Sequence, residues 1–263
     1  MNADTAAKAD LLLSLHVPGT PLVVTNVWDA ITARIVAATP GVTALATASH
    51  AVSFARGVAD GEGLTVDEAL DAARIVTSAV DLPVSVDFER GYSADLPGLE
   101  ANIARLIAAG AAGLNLEDST GPGTGELREA GESAERVAAV RRAADAAGVH
   151  LVINARVDAL ARGGSFDDAV ARANAYLAAG ADAAFVLGLA TEKLVERAVA
   201  EIDGRVAVIA RPGAVPLRRL ADLGVARVSF GPGPLGLTLA DLQATAAQLT
   251  ALGDYPAELG FEY

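Results

Sequence analysis

Cysteine is absent from the chain, which excludes disulfides, thiolate metal sites and a cysteine nucleophile. Lysine is nearly absent. Lys8 and Lys193 lie away from the ends of the expected strands, so Schiff-base chemistry has no suitably placed amine. The histidines His16, His50 and His150 are scattered, with no H-x-H or H-E-x-x-H spacing, which argues against a zinc hydrolase. No G-x-S-x-G elbow occurs, and no G-x-G-x-x-G follows the first expected strand. Basic residues are few, 20 Lys and Arg against 33 Asp and Glu for a formal charge of −13. That balance disfavours nucleic acid and anionic membrane surfaces, and leaves a small anionic substrate to a local arginine. No apolar run reaches the roughly 18 residues of a membrane span, and the N-terminus has no basic stretch before an apolar one. A soluble, cytoplasmic protein without a signal peptide is expected.

What the chain does have is apolar material, 52% of its 263 residues, in short β-rich runs that alternate with Ala-rich helical stretches. The expected strands are 21–26, 43–49, 82–89, 112–118, 150–158, 183–189, 205–211 and 226–233. Thr65 with Glu68 forms a capping box, Asp95 precedes a first-turn Pro97, and Gly110, Gly148, Gly180 and Gly224 stand at helix ends. Alternating strands and helices on this scale predict an α/β fold, a (β/α)8 TIM barrel in a single domain over 1–263, with an open doubly wound sheet as the competitor. Residues 240–263 are expected to form the C-terminal helix and tail, packed on the chain's own barrel or on a neighbouring subunit.

In such barrels the chemistry collects at the C-terminal strand ends. The ends here carry Asn26, Trp28 and Asp29, then Ser49 and His50, Asp87 and Glu89, Asn115, Glu117 and Asp118, Asn154, Arg156 and Asp158, Arg211, and Ser229. Alternation along a strand puts Asp87 with Glu89, Asn115 with Glu117, and Asn154 with Arg156 on shared faces. Acids converging from adjacent strands repel unless a cation lies between them, and oxygen donors without His or Cys favour Mg²⁺ or Mn²⁺. The alternative is that each is a solvated loop acid paired with Arg90 or Arg105. Arg156 suits a substrate carboxylate because its fork binds planar anions, or else it pairs with Asp158 or Glu117. His50 lies in "TASHAVSFARGVADGE", read as a long turn whose backbone N–H groups receive a carboxylate, with His50 a proton donor or a hydrogen-bonded structural residue. "STGPGTGE" reads as a lid or an exposed loop, and "GPGPLG" as turn structure.

Together "NVWDAITARIV", "ALATASHAVSFARGVADGE", "LPVSVDFERGYS", "GAAGLNLEDS", "VINARVDAL" and "RPGAVPLRRLADLGVARVSFGPG" resemble the isocitrate lyase/phosphoenolpyruvate mutase superfamily over most of the chain. The resemblance implies a barrel assembled as a dimer or tetramer, usually a homotetramer of dimers that exchange their last helix. It implies Mg²⁺ near Asp87, with Asp60, Glu89 and Glu117 reaching it largely through water. It implies a 2-oxo acid gripped by Arg156 and by groups around Ser49 and His50, and a C–C or P–C bond cleaved through a metal-stabilised enolate. The loop after Glu117-Asp118 departs from the superfamily: it has neither the K-[KR]-C-G-H of isocitrate and methylisocitrate lyases nor the Lys/Asn pattern of the mutases. The expectation is therefore a lyase of the oxaloacetate decarboxylase or substituted-malate type, acting on a small 2-oxo or 2-hydroxy acid. Its metal set is Asp87, Glu89, Asp60 and Glu117, its substrate contacts are Ser49, His50, Arg156 and Asn115, and its catalytic groups are Arg156, Glu117, His50 and Tyr92. Phosphonopyruvate chemistry and a binding barrel without turnover are the rivals.

Overall fold

The computed structural model describes residues 2–121 and 126–256. Nine strands form one all-parallel sheet: β1 Leu22–Val24, β2 Asn26–Val27, β3 Leu45–Thr47, β4 Val84–Asp87, β5 Gly113–Glu117, β6 Val152–Val157, β7 Ala183–Val186, β8 Arg205–Ile209 and β9 Arg227–Ser229. The order β1-β9-β8-β7-β6-β5-β4-β3-β2 closes, because β1 and β2 are one stave broken at Thr25. The first half pairs with β9 and the second with β3, giving the expected eight-stave barrel. Asn26 secures the break, donating to the Thr47 carbonyl at 2.9 Å and accepting from Phe230 N–H at 2.8 Å.

The helices are α1 Asn2–Ser14, α2 Ala30–Ala37, α3 Ser49–Ala55, α4 Val66–Thr77, α5 Leu96–Ala108, α6 Ala130–Ala146, α7 Phe166–Ala178, α8 Glu192–Glu201, α9 Leu217–Asp222 and α10 Gly233–Thr250. The expected start signals hold: Thr65 and Glu68 cap α4 reciprocally, and Asp95 accepts from Gly98 N–H ahead of α5. Two expectations change. The stretch after Ser49 is helix α3, not a long turn, and "GPGPLG" contributes the first turn of α10, which starts seven residues before the expected 240. α10 shows much of its apolar side to solvent, with Leu237 75% and Leu242 62% exposed. The last tail residues, 257–263, and 122–125 of the expected lid lie outside the described residues.

The core of Val, Ile, Leu and Ala joins the strands to the surrounding helices, and Arg227, buried beneath the site, donates to Ser85 Oγ at 3.1 Å. At the opposite end from the site, His16 is 2% exposed and its Nδ1 lies 2.7 Å from the Leu12 carbonyl, an acceptor, so this nitrogen carries the proton. Burial, then Arg227, lowers its pKa from 6.5 to about 4; the Leu12 carbonyl and Asp182 oppose this and Arg205 adds to it. The unfolded chain therefore binds a proton that the folded one refuses between those values. The stabilisation is complete above 6.5 and disappears as pH falls towards 4, on the order of 3 kcal/mol in all. Denaturant unfolding of wild type and His16→Gln should show that difference between the two proteins shrinking over this window; a pH-independent difference contradicts it.

Candidate active site

Strand register builds the site in two layers. Asp87 sits opposite Asn115, and Asn115 opposite Asn154; one step higher Glu117 faces Arg156, and Arg156 faces Phe185. In the lower layer a hydrogen-bond chain runs from Asn154 Nδ2 to Asn115 Oδ1 at 2.8 Å and from Asn115 Nδ2 to Asp87 Oδ1 at 3.2 Å. Asp87 Oδ2 accepts from Ser49 N–H at 2.9 Å, at the first turn of α3, where the helix end favours negative charge. The backbone of Asp87 is fixed as well, its N–H donating to Thr47 Oγ1 at 2.9 Å. Both oxygens of Asp87 are thus oriented, and it forms no ion pair among the described residues.

Arg156 is held by two acids. Its Nε and Nη2 donate to the two oxygens of Asp158 at 2.6 and 3.0 Å, and Nη1 donates to Glu117 at 2.5 Å. A guanidinium has five N–H groups, so one on Nη1 and one on Nη2 remain for a ligand. The two acids outweigh the burial that works against its charge, and Arg156 stays firmly protonated. Burial pushes the Glu117 carboxyl up; Arg156 opposes this, and Asp87 and Asp158 add to it. Ser119 Oγ donates to Glu117 at 3.0 Å, and Asp118 turns away to Tyr176 and to the Asp158 N–H.

Past Asp87 the strand alternation ends. Glu89 has φ +48°, Tyr92 +55° and, in the neighbouring loop after α3, Glu62 +60°, three of the four non-glycine residues in the left-handed region among those described. They form one network. Glu89 accepts from the Tyr92 hydroxyl and from Glu62 N–H; Glu62 accepts from Tyr92 N–H at 2.8 Å and pairs with Arg90 at 3.1 Å. Arg136 braces this turn from α6, donating to the carbonyls of Arg90 at 2.6 Å and Ser93 at 2.9 Å, and Asn102 braces it from α5. Gly91, at φ +87°, has no room for a Cβ, which would lie 2.3 Å from Leu99. Burial lifts Glu89 to about 7; Tyr92 and Glu62 N–H oppose the shift, while Asp87 and Asp60 reinforce it.

A cavity of about 230 Å³ opens over these layers, lined by Ser49, His50, Asp60, Asp87, Asn115 and Arg156, with Phe185, Leu187 and Ile209 as apolar wall. With Asn26 and Ser229, which also line it, the cavity brings together eight of the residues singled out from the sequence. Glu89, Glu117 and Tyr92 stand behind it and do not line it. The shared face expected for Asp87 and Glu89 is lost because the backbone turns left-handed at Glu89. His50 is exposed at the rim, stacked on Phe54, its Nδ1 3.6 Å from Asp60. Asp29, expected at the mouth, caps α2 instead. Glu62, Arg136 and Asn102 carry no motif that marks them in the sequence; Asp158 was legible as a possible partner of Arg156.

No three acids or histidines among the described residues gather closely enough to chelate one ion. The donor chemistry still suits a hard cation: all-oxygen groups, one oriented and unpaired carboxylate at the cavity wall, and buried acids behind it whose ionisation burial resists. Such a set fits one direct ligand with the others acting through water.

The phosphoenolpyruvate phosphomutase family model matches residues 12–250. An uncharacterised protein of Mycobacterium tuberculosis is 33% identical over 247 residues, 91% of this chain and 88% of that protein. The 2-methylisocitrate lyase of Escherichia coli is 34% identical over 178 residues, 65% of this chain and 59% of that enzyme. The crystal structure of a candidate phosphonomutase from Burkholderia cenocepacia superposes with a TM-score of 0.88 at 41% identity, covering 93% of this chain and 99% of that one. With its closed barrel and its Asp87–Arg156 cavity, the chain belongs to the phosphoenolpyruvate phosphomutase family, within the isocitrate lyase/phosphoenolpyruvate mutase superfamily.

Proposed function

We propose that the chain is a Mg²⁺-dependent lyase, with Mn²⁺ able to substitute, that cleaves a C–C bond in a small 2-oxo or 2-hydroxy acid. The observation that carries this reading is one cavity holding an oriented, unpaired Asp87 carboxylate and an Arg156 with two N–H groups to spare. Asp87 would bind the ion directly, with Asp60 on the same cavity wall and Glu89 and Glu117 behind it. A divalent cation there supplies Lewis-acid stabilisation of the negative charge that develops beside the breaking bond.

Arg156 grips the substrate carboxylate, and Glu117 and Asp158 keep its fork from turning. Asn115 and Ser49 N–H fix the rotamer of Asp87, so its geometry is set before the ligand arrives. Phe185, Leu187 and Ile209 exclude water from one side. His50 is the histidine at the cavity rim, and in this reading it returns the proton to the cleaved carbon. Tyr92, whose hydroxyl is committed to Glu89, serves by holding that acid. The test is turnover of a panel of 2-oxo and 2-hydroxy diacids: activity should appear with Mg²⁺ and vanish with EDTA, and silence across the panel would refute the reading.

The Burkholderia relative supports a second reading, in which the cavity takes a phosphonate and a P–C bond changes hands. Conversion of phosphonopyruvate with no action on the diacids would select it. We further propose a homo-oligomer, because α10 leaves Leu237 and Leu242 uncovered. Light scattering should give a multiple of the chain mass, reduced to one chain by Leu237→Asp with Leu242→Asp; a monomeric wild type contradicts it.

A further inference from the structure

Beside the first cavity lies a second, of about 290 Å³, between the loops that follow β6, β7 and β8. The two share Leu187 and Ile209 as walls, so they are neighbouring lobes of one barrel mouth. Their chemistry differs. The first lobe is lined by Asp60, Asp87, Asn115 and Arg156; the second by aliphatic residues such as Val186, Leu189 and Ala214, with Arg211 its one charged side chain. Arg211 is exposed and makes no side-chain hydrogen bond or ion pair among the described residues. In a chain of net charge −13 whose first-lobe arginine, Arg156, is clamped by two acids, an unpaired guanidinium beside an apolar lobe is an unused anion receptor.

We propose that the substrate is longer than a bare four-carbon diacid: its 2-oxo or 2-hydroxy acid end occupies the Asp87–Arg156 lobe, an aliphatic segment lies across Leu187 and Ile209 in the second lobe, and a terminal carboxylate meets Arg211. This rests on the assignment of the first lobe to the 2-oxo acid end. The apolar lobe sets the length of the segment, and Arg211 selects for the charge at its end. Arg211 is then a specificity residue and takes no part in bond cleavage.

Calorimetry in the presence of Mg²⁺ separates these contributions, using oxalate, 2-oxohexanoate and 2-oxoadipate as probes on wild type, Arg211→Gln and Ala214→Phe. For wild type, 2-oxoadipate should bind more tightly than 2-oxohexanoate. Arg211→Gln should weaken 2-oxoadipate about tenfold, as loss of a charge-assisted hydrogen bond does, and leave oxalate and 2-oxohexanoate unchanged. Ala214→Phe, which fills the second lobe, should weaken both long acids and spare oxalate. Oxalate binding with equal affinities for the two long acids, or with Arg211→Gln indistinguishable from wild type towards 2-oxoadipate, overturns the proposal and leaves the first lobe intact. Failure of oxalate to bind wild type overturns the first-lobe assignment, and the longer substrate falls with it.

Discussion

Asp87→Ala should abolish metal-dependent turnover, a loss of about a thousandfold or more, while the barrel remains folded. The activity effect follows from position. Asp87 is an acid at the cavity wall with both oxygens oriented, by Ser49 N–H and Asn115, and with no direct ion pair among the described residues. The stability effect is a loss that is partly offset. Arg227, buried beneath the site, where burial works against its charge and Asp87 supports it, loses that acid. The Ser49 N–H and the Asn115 amide lose an acceptor, at about 1–3 kcal/mol for each group left buried and unpaired. Against this, the charge of Asp87 pushes up the pKa of both Glu89 and Glu117, and its removal relieves that repulsion. Asp87→Asn sharpens the experiment, since it keeps the shape and removes the charge. A cooperative but lowered thermal melt together with lost turnover is expected; full activity of Asp87→Ala in EDTA would exclude the metal-dependent mechanism.

Arg156→Ala should damage both activity and stability, and the two can be separated. Its guanidinium is shared between Glu117 and Asp158, which are 9% and 2% exposed. Removing it leaves Glu117 buried without a cation and Asp158 with only the longer pair to Arg162 at 3.4 Å, a change that costs about 3–5 kcal/mol. Activity should fall by about a hundredfold to ten-thousandfold in kcat/KM, since the carboxylate clamp and its orientation are both lost. Adding Glu117→Gln to Arg156→Ala removes one orphaned acid and should recover part of the stability without recovering turnover. Arg156→Lys tests the fork itself: an ammonium keeps the charge and cannot reproduce the two-point contact with Asp158. Recovery of activity along with stability in the double variant would place Arg156 in the scaffold and not at the substrate.

Much of this was legible in the sequence, for identifiable reasons. Buried parallel strands read as short runs of Val, Ile, Leu and Ala, and helices announced themselves through caps such as Thr65 with Glu68, so eight staves and their order follow from local signals. The break at Thr25 did not, because its two halves take different neighbours and only closure of the barrel requires it. Helix α3 was missed since "SHAVSFA" is seven residues with a β-branched and an aromatic side chain; docking over the mouth, not propensity, makes it helical. At the site, alternation placed Asn115 and Arg156 correctly because both lie within strands. It failed at Glu89, two residues beyond Asp87, where the strand has ended and φ is positive. Glu62 and Arg136 were invisible for a different reason: each acts through contacts 28 to 46 residues away in the chain, a separation at which no spacing rule applies.

The most direct test of the central claim, that Asp87 and Arg156 address a single ligand, is a crystal structure of the protein with Mg²⁺ and oxalate. It should show one ion on the Asp87 carboxylate and one oxalate spanning that ion and the free Nη1 and Nη2 donors of Arg156. An ion bound away from Asp87, or an oxalate that leaves Arg156 with only Glu117 and Asp158 as partners, would contradict it.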